Sequence, residues 1–218
     1  MPELVTIPIS YFELVVEYER PEWKLWADRG SVIEAIFDSL KAWNPNIDDV
    51  EFLNSGKASE QGINLKLPLK RVSLFFSPVS YRFTQQNPDW QSSVETIAIL
   101  DHALSSLIRL SGIKIATQKA EIGMHIQPRS LTFVDILRPF IAPPLATLES
   151  EPIVSLAAVG RWNKRRVTVD GSAAIANGVY LRLERDFPVA TSYEEISQQL
   201  KNDQMNLFEV LGVEEDRT

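Results

Sequence analysis

In stretch after stretch of this chain apolar and polar residues alternate one by one, and that period of two restricts those stretches to strands with one covered face and one polar face. Over residues 4–19, Phe12, Leu14, Val16 and Tyr18 fall on one side and Glu13, Glu17 and Glu19 on the other, until Pro21 stops the run. After a polar, glycine-bearing loop at 54–62, Ile63, Leu65 and Leu67 alternate up to Pro68. Val72, Leu74 and Phe76 then form one set and Val79, Tyr81 and Phe83 another, with Ser77-Pro78 between them as the turn of a hairpin or the bend of one long strand. Residues 119–127 set Ile122, Met124 and Ile126 against Glu121, Gly123, His125 and Gln127. Four more strands are expected at 153–162, 165–170, 172–176 and 179–186, with turns at Asn163-Lys164, Asp170-Gly171 and Asn177-Gly178. The last pair suits a type I′ turn, in which both central residues take positive φ.

Helices interrupt this pattern at three capping boxes, in which a hydroxyl at the N-cap is answered by a carboxylate three residues on. Ser31 and Glu34 open a helix with the stripe Val32, Ile33, Ile36, Phe37 and Leu40, ended by Asn44-Pro45. Ser92 and Glu95 open a second, striped by Ile97, Leu100, Leu104, Leu107 and Ile108 and closed at Ser111-Gly112. Ser192 and Glu195 open the third, over about 192–210, followed by an acidic tail at 213–218 expected to fray. Strands and helices do not alternate strictly enough for a doubly wound parallel sheet. The expected fold is therefore a single α+β domain spanning 1–218, an antiparallel sheet with helices packed mainly on one face. No internal repeat and no low-complexity tract is visible in the residues.

Composition narrows the chemistry. With no cysteine among 218 residues, thiol nucleophiles, disulfides, thiolate zinc sites and cysteine-ligated clusters are excluded. Two histidines, His102 and His125, permit at most one His-pair metal site, and no cofactor is expected. Nucleotide-binding glycine loops and a Gly-x-Ser-x-Gly elbow are missing from the sequence. Met1-Pro2-Glu3-Leu4 does not read as a signal peptide, and no apolar run reaches the ~20 residues of a membrane span, so a cytoplasmic protein without a membrane role is expected.

Three groups of residues remain as candidates. His125 with Glu121 and Gln127 could form an acid–base or metal site on an open sheet face, although polar alternation alone gives the same pattern. Arg161, Trp162, Lys164, Arg165 and Arg166 make a basic, aromatic hairpin that could grip a phosphate backbone. The net charge of −7 opposes that use, and a charge-guarded sheet edge explains the hairpin better. Trp23 and Trp26, three apart, could anchor a partner or close one end of the core. The apolar, proline-broken stretch with Phe133, Ile136 and Phe140 could cross over the sheet or line a groove for a protein partner or a second copy. His102 lies on the polar side of its helix and is expected to be solvated.

The strands of Phe76, Tyr81 and Phe83, then Trp90, the capped helix and the strand Glu121-Ile122-Gly123-Met124-His125-Ile126 together resemble the element order of the bacterial export chaperone SecB and proteins that look like it. The resemblance covers about a quarter of the chain and implies a chaperone-like fold; it carries no site residue. The functional expectation is a non-catalytic binding or assembly protein, self-associating or meeting a protein partner. A carboxylate/His enzyme and a weak nucleic-acid binder are the alternatives.

Overall fold

The computed structural model describes residues 2–88, 93–137, 158–162 and 165–216. The expected α+β class is what the chain adopts. Ten strands are described: β1 (Glu3–Tyr18), β2 (Val50–Leu53), β3 (Gly62–Leu67), β4 (Val72–Phe76), β5 (Ser80–Gln86), β6 (Ile115–Pro128), β7 (Ala158–Trp162), β8 (Arg165–Gly171), β9 (Val179–Phe187) and β10 (Val213–Glu215). Five α-helices are described with them: α1 (Lys24–Ala27), α2 (Arg29–Leu40), α3 (Ser93–Ser111), α4 (Phe133–Leu137) and α5 (Tyr193–Leu211). The hydrogen-bonded order is β2-β3-β4-β5-β1-β6-β9-β8-β7, with β10 on β1. The chain divides into two compact units. One comprises residues 1–11, 121–185 and 198–218, the other 12–120 and 186–197.

In the 12–120 unit, β2 through β5 form an antiparallel meander, with Ile63 opposite Phe76 and Leu74 opposite Phe83. The inward residues are those the alternation picked out: Phe12, Leu14, Val16, Leu65, Leu74, Tyr81 and Phe83 are all buried, as are Val32, Ile36 and Leu40 of α2 and Leu100, Leu104 and Leu107 of α3. Each such side chain contributes about 2 kcal/mol of burial. Ser77 supplies the turn chemistry of the β4–β5 hairpin, its Oγ accepting from Val79 N (3.2 Å) and Ser80 N (2.9 Å). Ser106 of α3 is buried and donates to the Ala35 carbonyl of α2 at 2.9 Å.

The helix expected to open at Ser31 starts earlier. Asp28 is the N-cap of α2, accepting from Ser31 N (3.2 Å) and Ser31 Oγ (2.7 Å), so the helix has already begun at Ser31 and that hydroxyl is spent on the Asp28 carboxylate. The third capping box forms as expected, with Glu195 N donating to Ser192 Oγ and Ser192 N to Glu195 Oε2. In the second, Ser92 lies outside the described residues, and Glu95 is drawn to Lys70 (2.6 Å) and Trp43 (3.1 Å).

In the other unit β7, β8 and β9 form a second antiparallel meander, with Arg166 opposite Glu184 and Thr168 opposite Arg182. Residues 172–176 are a loop rather than a strand, because Ser172 Oγ gathers the amides of Ala174 and Ile175 and bends the chain. The β8–β9 hairpin exists, but without a type I′ turn: Asn177 takes φ 57° and Gly178 does not take a positive value. Gly178 is needed for closeness, since a Cβ there would stand 2.8 Å from that of Ile175. The expected frayed tail is a strand over Val213–Glu215, pairing parallel with Glu3–Val5, because Val213 has an apolar place to go.

The element order also repeats, which the residues alone did not reveal. Among the described residues, β1 to α3 runs as a long strand, two helices, a four-stranded meander and a 19-residue helix, and β6 to α5 as a long strand, one short helix, a three-stranded meander and a 19-residue helix. Each long helix ends at a left-handed glycine, Gly112 at φ 69° and Gly212 at φ 68°.

Candidate functional site

The polar side of β6 and β9 carries a line of bonded groups in the 121–185 unit. Ser172 Oγ stands 2.8 Å from His125 Nδ1, and the His125 ring packs on Tyr180 with centroids 4.9 Å apart. The Tyr180 and Tyr11 hydroxyls are 2.9 Å apart, and Tyr11 donates to Glu121 Oε1 at 3.0 Å. Arg182 meets the other oxygen of Glu121 at 2.6 Å and has its Nε 3.2 Å from Glu184, which Arg166 approaches at 4.0 Å. Period two explains the assembly: Glu121, Gly123 and His125 alternate with the core residues of β6, as Tyr180, Arg182 and Glu184 do on β9. Gly123 makes room for it, because a Cβ there would collide with the Tyr11 ring.

The electrostatics of this line favour closure over reactivity. Burial, with Tyr180 and Glu121 adding, holds the Tyr11 phenol protonated far above its ordinary range. The hydrogen bond to Glu121 keeps the Arg182 guanidinium charged. Desolvation pushes His125 below its ordinary value. Glu121 is buried, with both oxygens engaged, so it is not positioned as a free base or metal ligand. Gln127 gives its amide to the Pro128 carbonyl at 3.4 Å. No cluster of three or more His, Asp or Glu suited to a metal occurs among the described residues.

The basic hairpin is partly consumed by its own unit. Arg165 (2.7 Å) and Arg185 (3.2 Å) both bond Asp203 of α5, whose side chain is 1% exposed. Arg166 faces Glu184. Arg161 and Trp162 pair their backbones with Arg166 and Arg165, and Lys164 lies outside the described residues. The carboxylates that neutralise the hairpin, Glu184 and Asp203, come from β9 and α5. Sequence distance hid this pairing.

Of the aromatic and apolar candidates, Ile136 is only 3% exposed, so its side chain belongs to the core and not to a partner surface. It sits on α4, capped by Thr132, whose Oγ1 accepts from Asp135 N at 3.3 Å. Phe133 is half-buried, its ring edge at contact distance from the place a Cβ on Gly171 would occupy. Phe140 lies outside the described residues.

The tryptophans fare differently, in the 12–120 unit. Trp23 is 52% exposed, and the guanidinium of Arg29 lies 3.4 Å over the Trp26 ring. The same guanidinium is 5.5 Å from the Phe52 ring on β2. Among the described residues β2 ends its meander, with β3 on one side and no strand on the other, and Phe52 and Leu53 are 47% and 40% exposed. Ile47, Asp48 and Asp49 form a single 3-10 turn at its entrance. Sequence reasoning left Val50–Leu53 unassigned because four residues are too few to establish a period. His102 is exposed as expected, edge-on to Trp43 at 5.5 Å.

No family model and no curated protein matches the chain. Among solved structures, it is similar at 11% identity to a conserved hypothetical protein from Pyrococcus furiosus, over 93% of this chain and 91% of that one, with a TM-score of 0.18. A protein of Pyrococcus horikoshii is 8% identical over 98% and 90% of the two chains, with a TM-score of 0.20. No helix among the described residues is long and apolar enough to cross a membrane.

Proposed function

We propose that this chain is a non-catalytic binding or assembly protein that receives an extended segment of a protein partner along β2. The observation that carries the reading is the Trp26–Arg29–Phe52 stack beside a sheet edge with no strand on its outer side among the described residues. An edge strand offers alternate N–H and C=O groups to an incoming strand, and exposed aromatics beside it supply anchoring area. Asp48 and Asp49 at the entrance of the edge, in a chain of net charge −7, select a segment with basic as well as apolar side chains.

The closed hydrogen bonding around Glu121 leaves its carboxylate no free oxygen for a carboxylate/His enzyme, and the Asp203 and Glu184 pairs leave the basic hairpin a poor polyanion site. A test uses a fluorescent peptide of alternating Val and Lys against the full chain. Saturable binding that weakens tenfold or more in Trp26→Ala and Phe52→Ser supports the reading. Failure to bind, or equal binding by both variants with unchanged melting, overturns it. Analytical ultracentrifugation of the same samples reports whether the edge is taken by a second copy instead.

A further inference from the structure

We infer that His125 and Ser172 form a protonation-controlled latch that holds the β8–β9 loop, residues 172–178, against β6 at neutral pH and releases it in acid. Ser172 Oγ accepts from Ala174 N at 3.2 Å and from Ile175 N at 2.9 Å, which occupies both of its lone pairs. Its proton therefore goes to His125 Nδ1 at 2.8 Å, and the imidazole is the neutral tautomer with its hydrogen on Nε2. Protonated, Nδ1 becomes a donor aimed at an oxygen with no lone pair to offer, so the contact turns from attractive to unfavourable.

The surroundings do not rescue the charged ring. From β9 it meets Tyr180, and the next residue on that face, Arg182, is bonded to Glu121 of β6. From β1, Tyr11 is bonded to the same Glu121 and to Tyr180. Asp170, at the end of β8, turns its carboxylate to the Gly171 amide at 2.7 Å. Among the described residues no carboxylate bonds the His125 ring. Desolvation, which already disfavours the imidazolium, acts in the same direction.

The loop itself is poised to leave. It is closed by Ser172 N to the Gly178 carbonyl at 2.9 Å, carries Asn177 at φ 57°, and exposes Ala173, Ala174, Ala176 and Asn177. To meet the donor that a protonated Nδ1 becomes, the Ser172 hydroxyl must turn a lone pair toward the ring, and it can do so only by giving up the Ala174 or Ile175 amide.

Nitrogen-15 NMR of the full-length protein tests this directly. At pH 7.5 the His125 Nδ1 resonance is expected in the unprotonated, acceptor range. Between pH 7.5 and 5 the exchange protection of the Ala174 and Ile175 amides is expected to fall about tenfold or more as the ring takes its proton. His125→Asn keeps an acceptor near the Nδ1 position without titrating, so its loop should stay protected across the range. Ser172→Ala should lose protection at every pH. A neutral ring with its hydrogen on Nδ1, or a protonated ring over an unchanged loop in the wild-type protein, overturns the latch without recourse to any variant.

Discussion

Gly123 and Tyr81 show how single side chains decide local energetics here. At Gly123 an added methyl group would meet the Tyr11 ring far inside contact distance. Gly123→Ala is therefore expected to destabilise by about 1–3 kcal/mol, read from the urea midpoint, by forcing Tyr11 off Glu121. Tyr81 is fully buried, and its hydroxyl meets no partner among the described residues. Tyr81→Phe should then raise stability by about 1 kcal/mol, and a lowered melting temperature would mean that the hydroxyl is bonded after all. His125 gives the pH dependence. Its folded value is depressed, so the unfolded chain binds more protons near the ordinary value of about 6.5, and stability declines as the pH falls through that region. His125→Asn should flatten the curve below about pH 6.5, measured by urea unfolding at fixed ionic strength. The faces of His125 and Glu121 were legible from alternation. Their partners were not: Tyr11 lies 110 positions from Glu121 and Ser172 lies 47 from His125, and no local pattern carries such separations.

At the scale of elements, period two and capping chemistry locate most strands and long helices, because both are written within a few residues of each other. Two of the misreadings share one cause, a stronger local partner: Asp28 displaced Ser31 as a cap and Ser172 converted an expected strand into a loop, whereas the hairpin arginines meet their carboxylate, Asp203, from a distant element. The last of these has a measurable weight. Asp203 is buried within α5 and bonds both Arg165 and Arg185, so Asp203→Leu leaves two guanidinium groups without their shared carboxylate. A loss of about 3–5 kcal/mol is expected from breaking such a buried ion cluster at one member. Replacing all three residues with apolar side chains of similar size should recover much of it. If Asp203→Leu alone leaves the melting temperature unchanged, the cluster contributes nothing and the basic hairpin is free to act elsewhere.

The repeated order of elements frames the whole molecule. Landmarks recur a hundred residues apart: Gly112 and Gly212 end the long helices, and Arg82 and Arg182 each face a glutamate of a long strand, Glu13 at 3.9 Å and Glu121 at 2.6 Å. Residue identities between these landmarks differ, so the repeat is visible in geometry and not in the letters. It also accounts for β10. In the first series α3 turns at its glycine and leads into β6; in the second, α5 turns at Gly212 and leads into β10, a three-residue strand beside β1. This strand is held by Glu3 N to the Gly212 carbonyl at 2.9 Å and Asp216 N to the Val5 carbonyl at 2.8 Å, with Val213 and Val5 both buried. Glu3 in turn binds Ser130 Oγ at 2.6 Å, so one short parallel pairing ties three distant stretches of one unit together. Val213→Asp puts a charge where an apolar side chain is buried and is expected to cost about 2–4 kcal/mol. The Glu3 amide should lose its exchange protection in the same variant, whereas Val213→Ile should keep it. Protection at Glu3 that survives Val213→Asp would show that β1 holds its place without β10, and that the parallel strand contributes no closure to the fold.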